Sequence, residues 1–159
     1  MINAQNAGLS RQLKLNEGNA HGSDIPIRQR TSKVVYEQRS DGLIIATPTG
    51  STAYSLSCGG PIMKPDVEAF LLVPIAPHTL NDRPMVLPSS SEIILQLNEN
   101  QTDMVGIDID GDTMSELKPG QELLIKKAEK TVSLLHPENY DYFDNLKSKL
   151  LWGVDNRND

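Results

Sequence analysis

Apolar positions along this chain come in short runs and alternations bounded by Gly, Pro, Asn and Asp, and that punctuation predicts strands over most of its length. Lys33 to Glu37, with Val34, Val35 and Tyr36, reads as a strand that leads through Gln38-Arg39-Ser40 into a second apolar run, Gly42 to Thr47, built on Leu43, Ile44 and Ile45. Pro48 has no amide hydrogen to offer a ladder, so the run is expected to stop there. Phe70-Leu-Leu-Val73 is a compact apolar run closed by Pro74, the pattern of a buried strand. Glu92 to Asn98 sets Ile93, Leu95 and Leu97 on one face, and Met104 to Asp110 alternates again before a tight Asp110-Gly111 hairpin turn. Leu123 to Ile125 and Val132 to Leu135 are expected to form a further pair, with Pro119-Gly120 turning the chain before the first.

Two stretches break the β pattern. Residues 1–32 are rich in Asn, Gln, Ser and Gly, which predicts a polar, mobile lead-in with at most one short helix around Leu9 to Leu15. Tyr142 to Trp152 places Phe143, Leu146 and Leu150 on one helical face, with Asp141 as a cap. The expected fold is therefore mainly β: a β-sandwich-like domain over residues 33–159, with a short helix after Pro48 and an amphipathic helix near the end.

Composition narrows the picture. A chain of 159 residues fits one domain with a modest core, and with aromatics at 4% that core must rest on Leu, Ile and Val. A net charge of −6 offers no basic face, which argues against nucleic acid as the main partner. The single cysteine, Cys58, has no internal disulfide partner and suits a reducing compartment. No apolar run is long enough to cross a membrane and the start lacks the layout of a signal peptide, so a soluble, cytoplasmic protein is expected.

The chemistry concentrates after Pro48. Thr49, Gly50, Ser51 and Thr52 are small hydroxyl residues around a glycine, the composition of a sharp strand-to-helix turn, and Ser51 or Thr52 is expected to cap the helix. Gly59-Gly60 and Pro61 keep that helix short. Such a turn leaves backbone amides beside hydroxyls and the Tyr54 ring, a place for the polar edge of a nucleotide; a capped helix at a domain edge is the alternative on spacing alone. A Walker phosphate loop does not fit, since no Gly-Lys-Ser/Thr follows. Asp108-Ile-Asp110-Gly-Asp112 does not make a calcium loop, because Thr113 stands at its required glycine and Pro119 at its closing glutamate. His21 reads as a solvated loop residue.

The continuous string from Asp41 to Pro61, D-G-x-x-x-x-T-P-T-G-S-T-A-Y-S-x-S-x-G-G-P, resembles the signature of the NAD kinase family. Pro74 to Leu80, Arg83-Pro84, Val86 to Pro88, Asp110-Gly111, Leu135-His-Pro, Tyr140 and Tyr142-Phe143 are similar to later segments of that family, so the likeness runs from Asn16 to Trp152. It implies the family's C-terminal domain, mostly β, binding NAD or NADP through Asn16, Glu17, Arg39, Asp41, Thr52, Ala53, Tyr54, Ser55, Leu56, Ser57 and the position of Asp112. An Asn amide can donate and accept toward a base, and a carboxylate can accept from a ribose hydroxyl. For Asn16 and Glu17 the alternative is a pair of solvated loop residues, and for Arg39 and Asp41 a structural ion pair. Asp112 stands where the family usually has a glutamine, which removes two donors and adds charge.

The resemblance also implies a reaction: transfer of a phosphoryl group from ATP, or in some members polyphosphate, to the adenosine ribose 2′-hydroxyl of NAD. That step needs a divalent cation such as Mg and a group that orients the attacking hydroxyl. In the family these tasks fall to a Gly-Gly-Asp-Gly-Thr loop on a preceding α/β domain, and no such string occurs in this sequence. With no catalytic residue and no metal ligand of its own, the chain is expected to have little or no kinase activity unless an N-terminal NAD kinase domain joins it. The resemblance puts Tyr54 and its neighbours at a subunit interface, hence a homodimer or homotetramer. A non-catalytic β domain that binds a dinucleotide, or only self-associates, is the alternative.

Overall fold

The computed structural model describes residues 2–3, 12–17, 23–29, 34–100 and 104–151. Its spine is a long strand, β4 (Val34–Ala46). Along one edge of β4 two strands lie in tandem and run in the same direction: β2 (Gln12–Glu17) opposite Ala46 to Gly42, then β3 (Ser23–Gln29) opposite Ser40 to Val34. The other edge, from Ser40 to Ala46, pairs with β5 (Ala69–Pro77), which carries β6 (Met85–Pro88) beyond it.

The sheet therefore forks at Asp41-Gly42. One wing continues from β3 to β7 (Ile93–Gln96), β10 (Glu122–Ile125) and β1 (Ile2–Asn3); the other continues from β2 to β8 (Val105–Ile109) and β9 (Asp112–Leu117). Every pairing is antiparallel except β1 with β10. Leu15, Ile25, Leu43, Leu95, Ile107 and Leu123 come from both wings and from β4 into one core, so the expected mainly β, sandwich-like arrangement is what forms. Gly42 marks the fork because a Cβ there would lie 2.2 Å from the Leu15 carbonyl oxygen. Buried Gln38 and Ser40 tie into the same point, the Ser40 hydroxyl donating to the Gly42 carbonyl at 2.8 Å.

The reverse face of β4 and β5 is also covered. Ile44, Ala46, Leu71 and Val73 pack there with Met63, which explains why both strands read as unbroken apolar runs. The covering layer is the segment after β4: a 3-10 turn over Thr49–Thr52, one turn of helix α1 (Tyr54–Ser57), and the stretch to Met63. Gly59 adopts φ +83° and ends α1 as its residue type predicts, with the Gly60 amide donating to the Ser55 carbonyl at 2.8 Å.

Four expectations change. Residues 12–17 and 23–29 are paired strands instead of lead-in or helix, because Leu15 opposite Leu43 and Ile107, and Ile25 with Ile27, follow a period of two that the flanking polar residues obscure. The rest of the proposed Leu9–Leu15 helix lies outside the described residues. Pro74 does not close β5, which runs on to Pro77: β6 stops opposite Leu72, so beyond that residue no described strand pairs this edge of β5 and proline is tolerated. Val132 to Leu135 form no strand and are exposed. Helix α2 (Tyr142–Leu150) forms with the Asp141 carboxylate accepting from the Asp144 amide at 2.9 Å, yet Phe143 and Leu150 stay exposed and Leu146 alone of the three is buried. The turns at Asp110-Gly111 (φ 51° and 100°) and at Gly120 (φ 75°, Gln121 amide to Lys118 carbonyl 3.0 Å) form where their residue types place them. No described helix is long and apolar enough to cross a membrane.

Candidate functional site

The residues of the turn separate into those that hold it and those that face outward. Ser51 is fully buried; its hydroxyl donates to the Pro48 carbonyl at 2.6 Å and accepts from the Met63 amide at 2.9 Å. It is therefore a strut between the turn and the returning chain, and neither the 3-10 turn nor α1 has a side-chain cap. Ser55 is buried as well, donating to the carbonyls of Gly50 (3.0 Å) and Ser51 (3.2 Å). The expected array of hydroxyls and unused amides is thus smaller than the sequence suggests. The Gly50 amide donates to the Thr47 hydroxyl (3.3 Å), and the Ser51 and Ala53 amides donate to Pro48 and Gly50 carbonyls. A turn this tight satisfies its own backbone.

What remains outward is a compact row. Thr52, Ala53, Tyr54 and Ser57 are exposed and Leu56 is half-buried; Tyr54 keeps 44% of its surface. Cys58, one helical turn on, raises the Tyr54 phenol above its ordinary value of 10.0, chiefly through the charge its sulfur would carry and to a lesser extent through burial and their hydrogen bond. The ring is a neutral stacking surface with a hydroxyl edge.

A second group lies at the fork. Arg39 and Asp41 are exposed on β4, and the Asp41 carboxylate meets the His78 Nε2 at 3.0 Å. The His78 amide donates to the Arg39 carbonyl at 3.0 Å, extending the β4–β5 ladder past Pro77, and Ala76, two residues before it, takes φ +43°. Asp41 thus has an imidazole partner, a role the sequence left unassigned; the signal was a Pro-His pair directly after a strand. Asn16 sits opposite Gly42 in β2, so the backbone of the Asn16-Glu17 pair ends beside Asp41.

Asp41 lies at the fork, about 17 Å along β4 from Ala46, and the turn follows Ala46 and returns over the reverse face of β4 and β5. Asp112 opens β9 and aligns through Ile109 and Leu13 with Ile45, which sets it toward the turn's end of the sheet but three strand spacings away, about 14 Å. One copy of the chain brings Thr52 to Ser57 together on the turn, and at the fork Arg39, Asp41 and His78 beside the Asn16 backbone. Among the described residues no group of His, Cys, Asp and Glu could hold a metal ion.

This forked β domain recurs among dinucleotide kinases. The structure superposes on yeast NADH kinase complexed with NADH with a TM-score of 0.81 at 30% identity, covering 94% of this chain and 46% of that one. It also superposes on an NAD kinase from Archaeoglobus fulgidus in complex with ATP (TM-score 0.64, 29% identity, 75% of this chain and 45% of that one). Residues 28–136 match the profile of the ATP-NAD kinase C-terminal domain, and the chain belongs to that family. Among curated relatives, the NAD kinase of Pseudoalteromonas translucida is 50% identical over 119 residues, 75% of this chain and 40% of its own length. That of Pectobacterium atrosepticum is 52% identical over 120 residues, 76% and 41%. The chain spans about two fifths of the length of these relatives.

Proposed function

We propose that this chain is the dinucleotide-binding half of a NAD kinase, holding NAD or NADP on the outward row Thr52, Ala53, Tyr54, Leu56 and Ser57. What carries the reading is the division of labour in the turn: Ser51 and Ser55 are buried struts, so the row is held rigidly while Tyr54 stays open for stacking. Ser55 then acts from behind the row. Asn16 and Glu17 offer amide and carboxylate to the base and ribose, and Asp112 approaches as a carboxylate in place of an amide.

The Tyr54 row and the Arg39, Asp41 and His78 group are both exposed, and the likeness to the family favours a site to which a second copy contributes, its Arg39, Asp41 and His78 closing over the first copy's Tyr54. A homodimer or homotetramer follows. Phosphoryl transfer from ATP or polyphosphate to the ribose 2′-hydroxyl requires a base and a divalent cation such as Mg. The described residues form no donor set for that ion, and both tasks fall to an N-terminal α/β domain of the NAD kinase type. The 159-residue chain then binds without turning over, and it works in the cytoplasm.

Calorimetric titration of NAD and NADP into the wild type, Tyr54→Ala and Asp41→Ala tests the site. The expected result is binding by the wild type and at least about a tenfold loss in each variant, the worth of one stacking or charge-assisted contact. No binding by the wild type overturns the reading. Supplying an N-terminal NAD kinase domain in trans and assaying NADP separates a kinase half from a domain that only binds or self-associates, since only the first regains turnover.

A further inference from the structure

The backbone sets His78 beside Asp41 before its ring is considered. Its amide donates to the Arg39 carbonyl at 3.0 Å, one step past the last β4–β5 pair, Ser40 opposite Pro77. The Cα of His78 is therefore fixed by the sheet, next to β4 and within a side chain's reach of Asp41. The chain after it is held as well. Asp82 is 6% exposed, its amide donating to the Thr79 carbonyl at 3.4 Å and its own carbonyl accepting from the Arg83 guanidinium at 3.1 Å. Residues 78–84 thus leave β5 and return to β6 as a loop pinned at His78 and again at Asp82.

From that fixed point the imidazole reaches the carboxylate. His78 Nε2 lies 3.0 Å from Asp41 Oδ1, and since an ionised carboxylate can only accept, Nε2 carries the hydrogen and donates it. Among the described residues the side-chain partner of Asp41 is this imidazole and not Arg39. The two side chains stay open to water, 36% and 56% exposed, so burial does not hold either of them. A surface aspartate is otherwise free to turn about both of its torsions, and ordering such a side chain is part of what binding must overcome. With Oδ1 engaged, much of that ordering is already present in the free protein, and Oδ2 remains to accept from a ligand.

We infer that His78 is a positioning residue of the dinucleotide site: it holds the Asp41 carboxylate in one orientation and acts on the ligand through it. The inference rests on the assignment of Asp41 to that site. It also defines what this corner reads. A carboxylate that receives one N–H still has only acceptors to offer, so the group it meets on the dinucleotide is an amino or a hydroxyl and not a phosphate.

Calorimetric titration of NAD into the full chain tests this as a double-mutant cycle of wild type, Asp41→Ala, His78→Ala and the two together. His78→Ala is expected to weaken binding about fivefold, and to change it by less than about twofold once Asp41 is alanine. His78→Gln keeps an N–H at the reach of Nε2 and should return the affinity to within about twofold of wild type. Thermal midpoints should stay within about 3 °C of wild type, the pair being exposed. No binding by the wild type, or no loss in Asp41→Ala, overturns the reading of the site and the inference with it. A loss in Asp41→Ala with none in His78→Ala overturns the inference alone. So does an equal loss from His78→Ala in both backgrounds, or a loss accompanied by a larger fall in midpoint, because His78 would then act on the ligand or on the fold and not through Asp41.

Discussion

Ser51→Ala removes one oxygen and tests whether the turn is built from behind. In the wild type that hydroxyl accepts from the buried Met63 amide at 2.9 Å and donates to the Pro48 carbonyl at 2.6 Å. The two losses are unequal. The Pro48 carbonyl keeps the Ser51 amide at 3.1 Å, so it is not stranded. The Met63 amide loses its acceptor in a place water does not reach, and a buried unsatisfied donor costs about 1–3 kcal/mol. A mid-range loss of about 2 kcal/mol corresponds to roughly 4–8 °C in Tm for a domain of this size. Thr52→Ala is the matched control: its hydroxyl is exposed and donates to the Thr49 carbonyl at 3.2 Å, so stability changes by less than about 0.5 kcal/mol. Urea unfolding followed by far-ultraviolet circular dichroism reads both. If Ser51→Ala unfolds within 0.5 kcal/mol of its Thr52→Ala counterpart, the strut does not exist and the rigidity of the outward row loses its basis.

Gly42→Ala drives a methyl to 2.2 Å from the Leu15 carbonyl, a backbone atom in a buried ladder that cannot swing aside, so a loss beyond the usual ~1–3 kcal/mol of overpacking is expected, read as a lowered unfolding midpoint or as insoluble protein. Glu68 accepts from Lys127 and from Ser89 (2.7 Å), which together hold its carboxyl below its ordinary 4.5. Because the folded value is the lower one, its contribution is present above pH 4.5 and fades as the pH falls through the folded value; the stability gap between wild type and Glu68→Gln should close in acid and shrink in high salt, the pair lying at the surface. Cys58→Ala removes the main cause that raises Tyr54, so tyrosinate absorbance, with Tyr54→Phe as the reference, should show its ionisation moving down toward 10.0.

The strands were legible wherever burial on one or both faces wrote itself into residue type: Leu43 to Ile45, Phe70 to Val73, the alternation of Ile93, Leu95 and Leu97, and the Asp110-Gly111 turn all form as read. Residues 12–17 and 23–29 were hidden because buried Leu15, and Ile25 with Ile27, stand among polar residues in the sequence, and their pairing depends on β4 and β8, far along the chain. Val132 to Leu135 erred the other way: the pattern of a strand is there, yet the stretch is exposed and irregular, while β10 pairs with Ile2 and Asn3. For the site, the motif located the turn correctly, but composition cannot say which way a hydroxyl points. Ser51, Thr52 and Ser55 look alike in sequence, and only the packing of Met63 and Gly50 around them divides struts from surface.

That division bears on how the signature should be read. Within Asp41 to Pro61 the residues with the least tolerance for change are those against the backbone: Gly42 against the Leu15 carbonyl, Ser51 against the Met63 amide, and Gly60, whose Cβ would come 2.8 Å from the Ser55 carbonyl. Asp41 and Tyr54 have room around them, being exposed at the fork and on the turn. Substituting the first group should therefore lower stability and binding together, whereas substituting the second should lower binding at unchanged stability. A chain that kept the motif for its fold alone would tolerate Asp41→Ala and Tyr54→Ala without consequence. One that kept it to hold a dinucleotide loses affinity at both positions, and if the site is shared between two copies, a mixture of the two variants should recover part of it. Half of the sites in a mixed dimer would then draw an intact Tyr54 from one copy and an intact Asp41 from the other, a rescue that no site confined to a single copy can show.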